Sequence, residues 1–274
     1  MLRCLVDSEP LLTEVPPLST KVPASAEAPP PLPLALAANP LPARWTERNL
    51  RIVELVLVCL VAFGGSIISS GHSLLFGSIS RTGSATAYGW FYSSFREALV
   101  LALLWYVLLR RGKSFSGLGL SWKARDVGCS VLLYLGGIIV YGLVYYAIYY
   151  AGLTRTTRGD ASLRIGRHLF GGGIFATTFL FQFLNPFFEE LIVRAYVMTE
   201  IKFLTGSASK AVIVSTMLQT SYHFYQGAPA AFAHGTTFLL WSIFYAKTNR
   251  IAPVILAHLY SDVLGTLHYG LYHQ

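Results

Sequence analysis

The stretch Thr177–Val197 reads TTFLFQFLNPFFEELIVRAYV, an apolar run of bilayer-spanning length that nonetheless carries Glu189, Glu190 and Arg194. An ionised side chain at membrane depth costs roughly 3 kcal/mol on insertion scales, so two adjacent carboxylates there need partners or a task. Glu190 and Arg194 stand at i and i+4, share a helix face and can pair. Glu189 points about 100° away, free to face something else. One carboxylate is anchored and its neighbour is available.

Outward from this run, the composition has the same character. Hydrophobic residues make up 54% of the 274 and charged residues only 12%, with a mean hydropathy of +0.52, which places the chain outside the soluble globular class. The fold expected is an all-α, multipass transmembrane helical bundle. The net charge of +8 does not point to nucleic acid, because Lys and Arg are scattered between apolar segments and form no single patch. Cys4, Cys59 and Cys129 offer no spacing for a Cys-based metal site.

Residues 1–43 are rich in Pro, Ala and Leu, with Pro29 to Pro31 and Pro33 favouring an extended chain, and are read as a disordered tail. Asp7, Glu9 and the prolines interrupt any early apolar segment of the kind a signal peptide needs. Residues 44–274 form the membrane domain. About seven spans are expected, near 52–70, 86–109, 127–150, 170–201, 209–226, 229–246 and 251–270. A cytoplasmic amino terminus collects Arg44, Arg48, Arg51, Arg110, Arg111, Lys202, Lys247 and Arg250 on that side. The loop with Arg155, Arg158, Arg164 and Arg167 falls on the other side, against the positive-inside rule.

Two further polar clusters fall in later spans. His223 closes the fifth, with Gln219 one turn earlier on the same face; His258 and Asp262 in the seventh are again i and i+4. A helical hairpin turning near Thr205 to Ser207 sets Glu189 about 15 residues before the turn and His223 about 17 after it. Both then lie about 23–26 Å from that end, with His258 and Asp262 at roughly 12–18 Å from the same side. The groups can converge in a cavity within the membrane. Arg96 and Glu97 in the second span are read as a local charge pair, and His234 chiefly as a packing residue.

Glu189-Glu190 followed by Arg194 matches an EExxxR motif, and His258 with Asp262 matches HxxxN/D. The intervening FxxxH is kept in part, since His223 is present while Gln219 stands where the aromatic is usual. In this order and spacing, over residues 170–265, the chain resembles the CPBP family of intramembrane proteases, which includes CAAX prenyl-protein endopeptidases and bacteriocin-processing or immunity-related Abi proteins. The resemblance implies an intramembrane endopeptidase acting on a peptide or protein at the lipid bilayer, prenylated in the CAAX branch. It makes Glu189 the residue that activates a water, with His223 helping to hold or deprotonate it. His258 and position 262 stabilise the oxyanion, and Arg194 supports Glu190. An ionised Asp262 cannot donate a hydrogen bond as Asn does, so its expected task is to orient His258. Metal-free chemistry is the expectation. The alternative is a divalent metal such as zinc held by Glu189, His223, His258 and Asp262, although the chain lacks HExxH. The rival reading is a non-catalytic membrane binder, transporter or immunity-type protein using the same buried polar groups.

Overall fold

The structure, a computed structural model, describes residues 46–76, 86–171 and 173–273. The expected disordered tail, with Arg44, lies outside the described residues. Among those described, every regular element is helical and there is no strand. With few charges to pair and no water to satisfy backbone groups in lipid, helices are the form such a sequence can take across a bilayer.

Three long helices come first: α1 (Glu47–Phe76), α2 (Ala87–Arg110) and α3 (Arg125–Tyr150). Each is long and apolar enough to cross a membrane. Their outer faces expose large apolar residues such as Leu60, Ile68, Leu99, Ile139 and Leu143, while Arg51, Glu97 and Asp126 are buried. Apolar outside and charged inside is the arrangement that a lipid solvent favours.

The span expected over 170–201 is a single helix shifted to 176–205, and the loop expected before it holds a helix of its own. α4 (Arg158–Phe170) is a separate helix whose first turn is capped by Thr157, which accepts from the Asp160 amide at 3.2 Å and donates to its carboxylate at 2.7 Å. α5 then runs as α-helix over Ala176–Glu189, as π-helix over Glu190–Tyr196, and as α-helix again over Val197–Thr205. Pro186 lies inside it, lacks an amide hydrogen, and cannot close the bond to the preceding turn. The widened π turn begins one turn later and spans Glu190 to Arg194, a type of distortion found disproportionately at functional sites.

Gly206, at φ 69°, ends α5 in the left-handed conformation that glycine adopts without a Cβ clash, and Ser207 caps α6 (Ala208–Ser221). The hairpin turn is where the sequence placed it. α6 has only 14 residues, about 21 Å of helix, against a hydrocarbon core of about 30 Å. It is followed by a 3₁₀ turn (Phe224–Gln226), then α7 (Ala228–Thr248) and α8 (Ala252–His273). The count of seven spans is therefore not confirmed; three helices among the described residues meet both the length and the apolarity that crossing demands.

α7 packs closely on α3. A Cβ on Gly137 would sit 2.8 Å from Thr237, whose hydroxyl donates to the Gly137 carbonyl at 3.0 Å, and Trp241 donates to the Leu133 carbonyl at 3.2 Å. At one end of the bundle Glu200 of α5 accepts from Arg51 of α1 at 3.2 Å and from Arg111, just past α2, at 2.8 Å, while Arg111 also binds Glu54. Basic groups that the sequence assigned to one side thus converge with acids from α1 and α5. Between these contacts Val58, Leu104, Ile192 and Ile255 fill the core.

Candidate active site

A cavity of about 1830 Å³ opens between the helices, and Glu189, Tyr222, His223, His234, His258 and Asp262 line it. α5 brings Glu189 to its wall, α6 and the turn after it bring Tyr222 and His223, and α8 brings His258 and Asp262.

Glu189 is buried and has no arginine partner. Its Oε2 accepts two neutral donors, the Gln219 amide at 2.9 Å and the Tyr222 hydroxyl at 2.8 Å, while Oε1 takes part in neither bond. The Gln219 bond joins the facing arms of the α5–α6 hairpin, so Glu189 and the end of α6 lie at one height, as the residue count predicted. Tyr222 is held in turn by α1. Phe63 stacks on its ring at 4.7 Å with planes 2° apart, and the Ser70 hydroxyl donates to its carbonyl at 2.6 Å.

Glu190 faces away from this pair of donors. Arg194 donates to its Oε2 at 2.5 Å and His258 Nδ1 lies 2.7 Å from its Oε1. A ring nitrogen against a carboxylate oxygen must carry its hydrogen, so Nδ1–H of His258 donates to Glu190. Arg194 is fully buried and stands over Phe238 and Trp241, 5.5 and 5.4 Å from their ring centres. Glu190, Arg194 and His258 therefore form a triad, a link to α8 that spacing within α5 does not reveal.

Asp262 is the farther carboxylate from His258. Its Oδ1 is 3.6 Å from Nε2, and Asn185 donates to its Oδ2 at 3.5 Å. His223 Nδ1 lies 2.8 Å from the Gln219 carbonyl, which can only accept, so a neutral His223 keeps its hydrogen there and offers the Nε2 lone pair. His234, read from sequence as packing, lines the cavity 6.0 Å from the His223 ring and 4.5 Å from Tyr141. On α4, His168 also faces the cavity, and burial holds its imidazole below the usual histidine range.

Among the described residues no group of three or more His, Cys, Asp or Glu side chains is arranged to hold a metal ion. The four candidate ligands each have another partner: Oε2 of Glu189 the two donors, Nδ1 of His258 Glu190, Nδ1 of His223 a backbone carbonyl, and Oδ2 of Asp262 the Asn185 amide. Arg96 and Glu97 both line the cavity and interact through their charges, without a hydrogen bond between them. The Arg96 guanidinium reaches the Ala62 carbonyl at 3.4 Å and the Phe188 ring at 5.9 Å, whereas Glu97 turns into the cavity wall.

Tyr222 is the site residue that sequence reasoning missed. The motif directs attention to an aromatic at position 219, and the aromatic that reaches Glu189 is instead the one directly before His223, just past the end of α6. A chemistry of paired donors on one carboxylate oxygen, a histidine with a free lone pair and a second histidine held by an acid suits the handling of a water and a polarised carbonyl.

Residues 171–264 match the family model described as type II CAAX prenyl endopeptidase, Rce1-like. The match spans every residue of the three motifs and agrees with the resemblance drawn from them. No curated protein and no solved structure matches the chain significantly.

Proposed function

We propose that this membrane protein, residues 171–264 of which match the Rce1-like CAAX endopeptidase model, is an intramembrane endopeptidase in which Glu189 activates a water without a metal ion. The observation that carries this reading is the handling of Glu189. Two neutral donors fix one oxygen, no arginine is bound to the carboxylate among the described residues, and the residue lines a cavity large enough for a peptide. A carboxylate held by donors on one oxygen presents the other to a water, whereas Glu190 has both oxygens engaged, by Arg194 and His258.

In this mechanism the substrate carbonyl lies between Glu189 and His258. Glu189 removes a proton from water, His223 Nε2 holds that water, and the water oxygen attacks the carbonyl carbon. His258 acts here as the imidazolium, its Nδ1–H held by Glu190 and its Nε2–H donating to the developing oxyanion. The tetrahedral intermediate collapses with cleavage of the C–N bond, and the proton on Glu189 passes to the leaving nitrogen. Asp262 lends negative charge beside His258 and, through Asn185, anchors α8 to α5. The amino terminus lies on the cytoplasmic side, and the substrate is a membrane-associated peptide or protein, prenylated as in the CAAX branch.

The test is cleavage of prenylated and unprenylated peptide libraries by the purified full chain, with and without a chelator. Cleavage that persists in the chelator supports the metal-free reading. Cleavage that is abolished by chelation and restored by zinc overturns it, and uptake or binding without any cleavage favours the rival, non-catalytic reading.

A further inference from the structure

Buried acids in this protein are partnered with one exception among the described residues. Glu190 has Arg194 and His258, Glu200 has Arg51 and Arg111, Asp126 has Arg250, Glu189 has Tyr222 and Gln219, and Asp262 has Asn185. Glu97 is 1% exposed, and its Oε2 has no hydrogen-bond partner. Leaving a buried carboxylate oxygen unmatched is expensive, and natural interiors rarely do so without a use for it. Glu97 sits in the wall of the same cavity as Glu189 and Asp262, within electrostatic reach of both.

A second unmatched oxygen lies on the helix facing it. Gln182 of α5 is buried, gives its amide nitrogen to Thr266 of α8, and leaves Oε1 unpaired in the same wall. Both atoms are acceptors, so the group that complements them is an N–H donor. An unpaired donor on the same helix, Trp90 Nε1, is seven residues away, about 10 Å along the axis, and cannot reach Glu97. Arg96 acts on Glu97 through its charge but makes no hydrogen bond to it, its guanidinium lying at Ala62 and Phe188, and Arg158, another cation of the cavity wall, stands over Tyr141 at 5.3 Å. Three carboxylates on one wall favour a charged donor over a neutral amide, since attraction between opposite charges is strengthened where water is sparse.

We infer that Glu97, assisted by Gln182, forms a subsite of the cavity that takes the cationic side chain of a lysine or arginine in the peptide substrate. The inference rests on the endopeptidase reading only for the identity of the ligand as a substrate. The subsite itself is a binding property and is measurable without turnover.

The probes are fluorescein-labelled decapeptides, otherwise neutral, with lysine or norleucine scanned through each position, offered to the full chain in detergent micelles. At one position the lysine peptide is expected to bind at least about ten-fold tighter than its norleucine twin, as a charge-assisted hydrogen bond in a buried site provides. E97Q is expected to bring that ratio close to one, and E97D to keep most of it. Carbodiimide should join the lysine amine to Glu97, mapped by mass spectrometry on the wild type, which keeps the test decisive if E97Q fails to fold. No position with a lysine preference, a preference that survives E97Q, or a cross-link map lacking Glu97 would each overturn the subsite. Glu97-dependent binding with no peptide cleaved at all would keep the subsite and overturn the peptidase reading; cleavage with no lysine preference would do the reverse.

Discussion

Two buried charge clusters in this protein are built from the same residue types and do different work. At the end of the bundle, Arg51, Glu54, Arg111 and Glu200 tie α1, α2 and α5 together, each acid faced by at least one guanidinium, and none of the four lines the cavity. In the cavity, Glu189 is faced by a phenol and a carboxamide, and the only buried arginine nearby, Arg194, is spent on the neighbouring Glu190. A fully matched cluster resists change and resists chemistry as well, because guanidinium groups engage its carboxylate oxygens and leave none to meet a water. A carboxylate oriented by neutral donors is held in place and left reactive. Adjacent glutamates one bond apart in sequence therefore belong to opposite categories, Glu190 to the scaffold and Glu189 to the reaction.

That division can be broken at its seam. R194A removes the guanidinium from Glu190 and leaves a buried carboxylate with His258 as its one partner; a loss on the order of 3–5 kcal/mol is expected, read as a lower Tm and yield, with turnover falling too as His258 loses its fixed support. A variant as stable as wild type but inactive would move Arg194 into the chemistry. Y222F tests the other side of the seam. It deletes one of the two donors on Glu189 Oε2 while keeping the ring on Phe63, so kcat should fall roughly ten-fold with little change in Tm. Full activity in Y222F would leave Gln219 as the sufficient support. The smallest effect is expected from D262N, where 3.6 Å already separates the carboxylate from His258; turnover should change by less than about three-fold, and a larger loss rescued by zinc would make Asp262 a ligand.

Much of this contrast was legible before any coordinates. The order and spacing of Glu189 and His223 across apolar runs, with Gly206 marking the turn, placed these two at one depth, with His258 expected nearer the turn. The Gln219 to Glu189 bond shows that Glu189 and the end of α6 do share a height. What remained hidden has physical causes. A π-helical turn over Glu190–Tyr196 has no composition of its own, so the motif read as ordinary α-helix. The arginine-rich stretch around α4 lacks an apolar run and read as a loop, although Thr157 three residues before Asp160 is a capping signal. Tyr222 escaped because residues past a helix end no longer obey helical spacing, and that is where its hydroxyl swings back to Glu189. The triad of Arg194, Glu190 and His258 joins α5 to α8 across 68 positions of chain, a contact that local periodicity cannot report.

The most direct test of the division is to neutralise one carboxylate in each cluster and measure both properties of both variants, peptide turnover and thermal melting. E189Q should lose roughly 10²–10⁴-fold in kcat and melt close to wild type, because it removes a base while keeping the shape and much of the hydrogen bonding. E200Q should keep its turnover at temperatures where it is folded and melt several degrees lower, because it strips the charge from between Arg51 and Arg111. Near-wild-type turnover in E189Q, with the loss appearing in its melting temperature instead, would contradict the account.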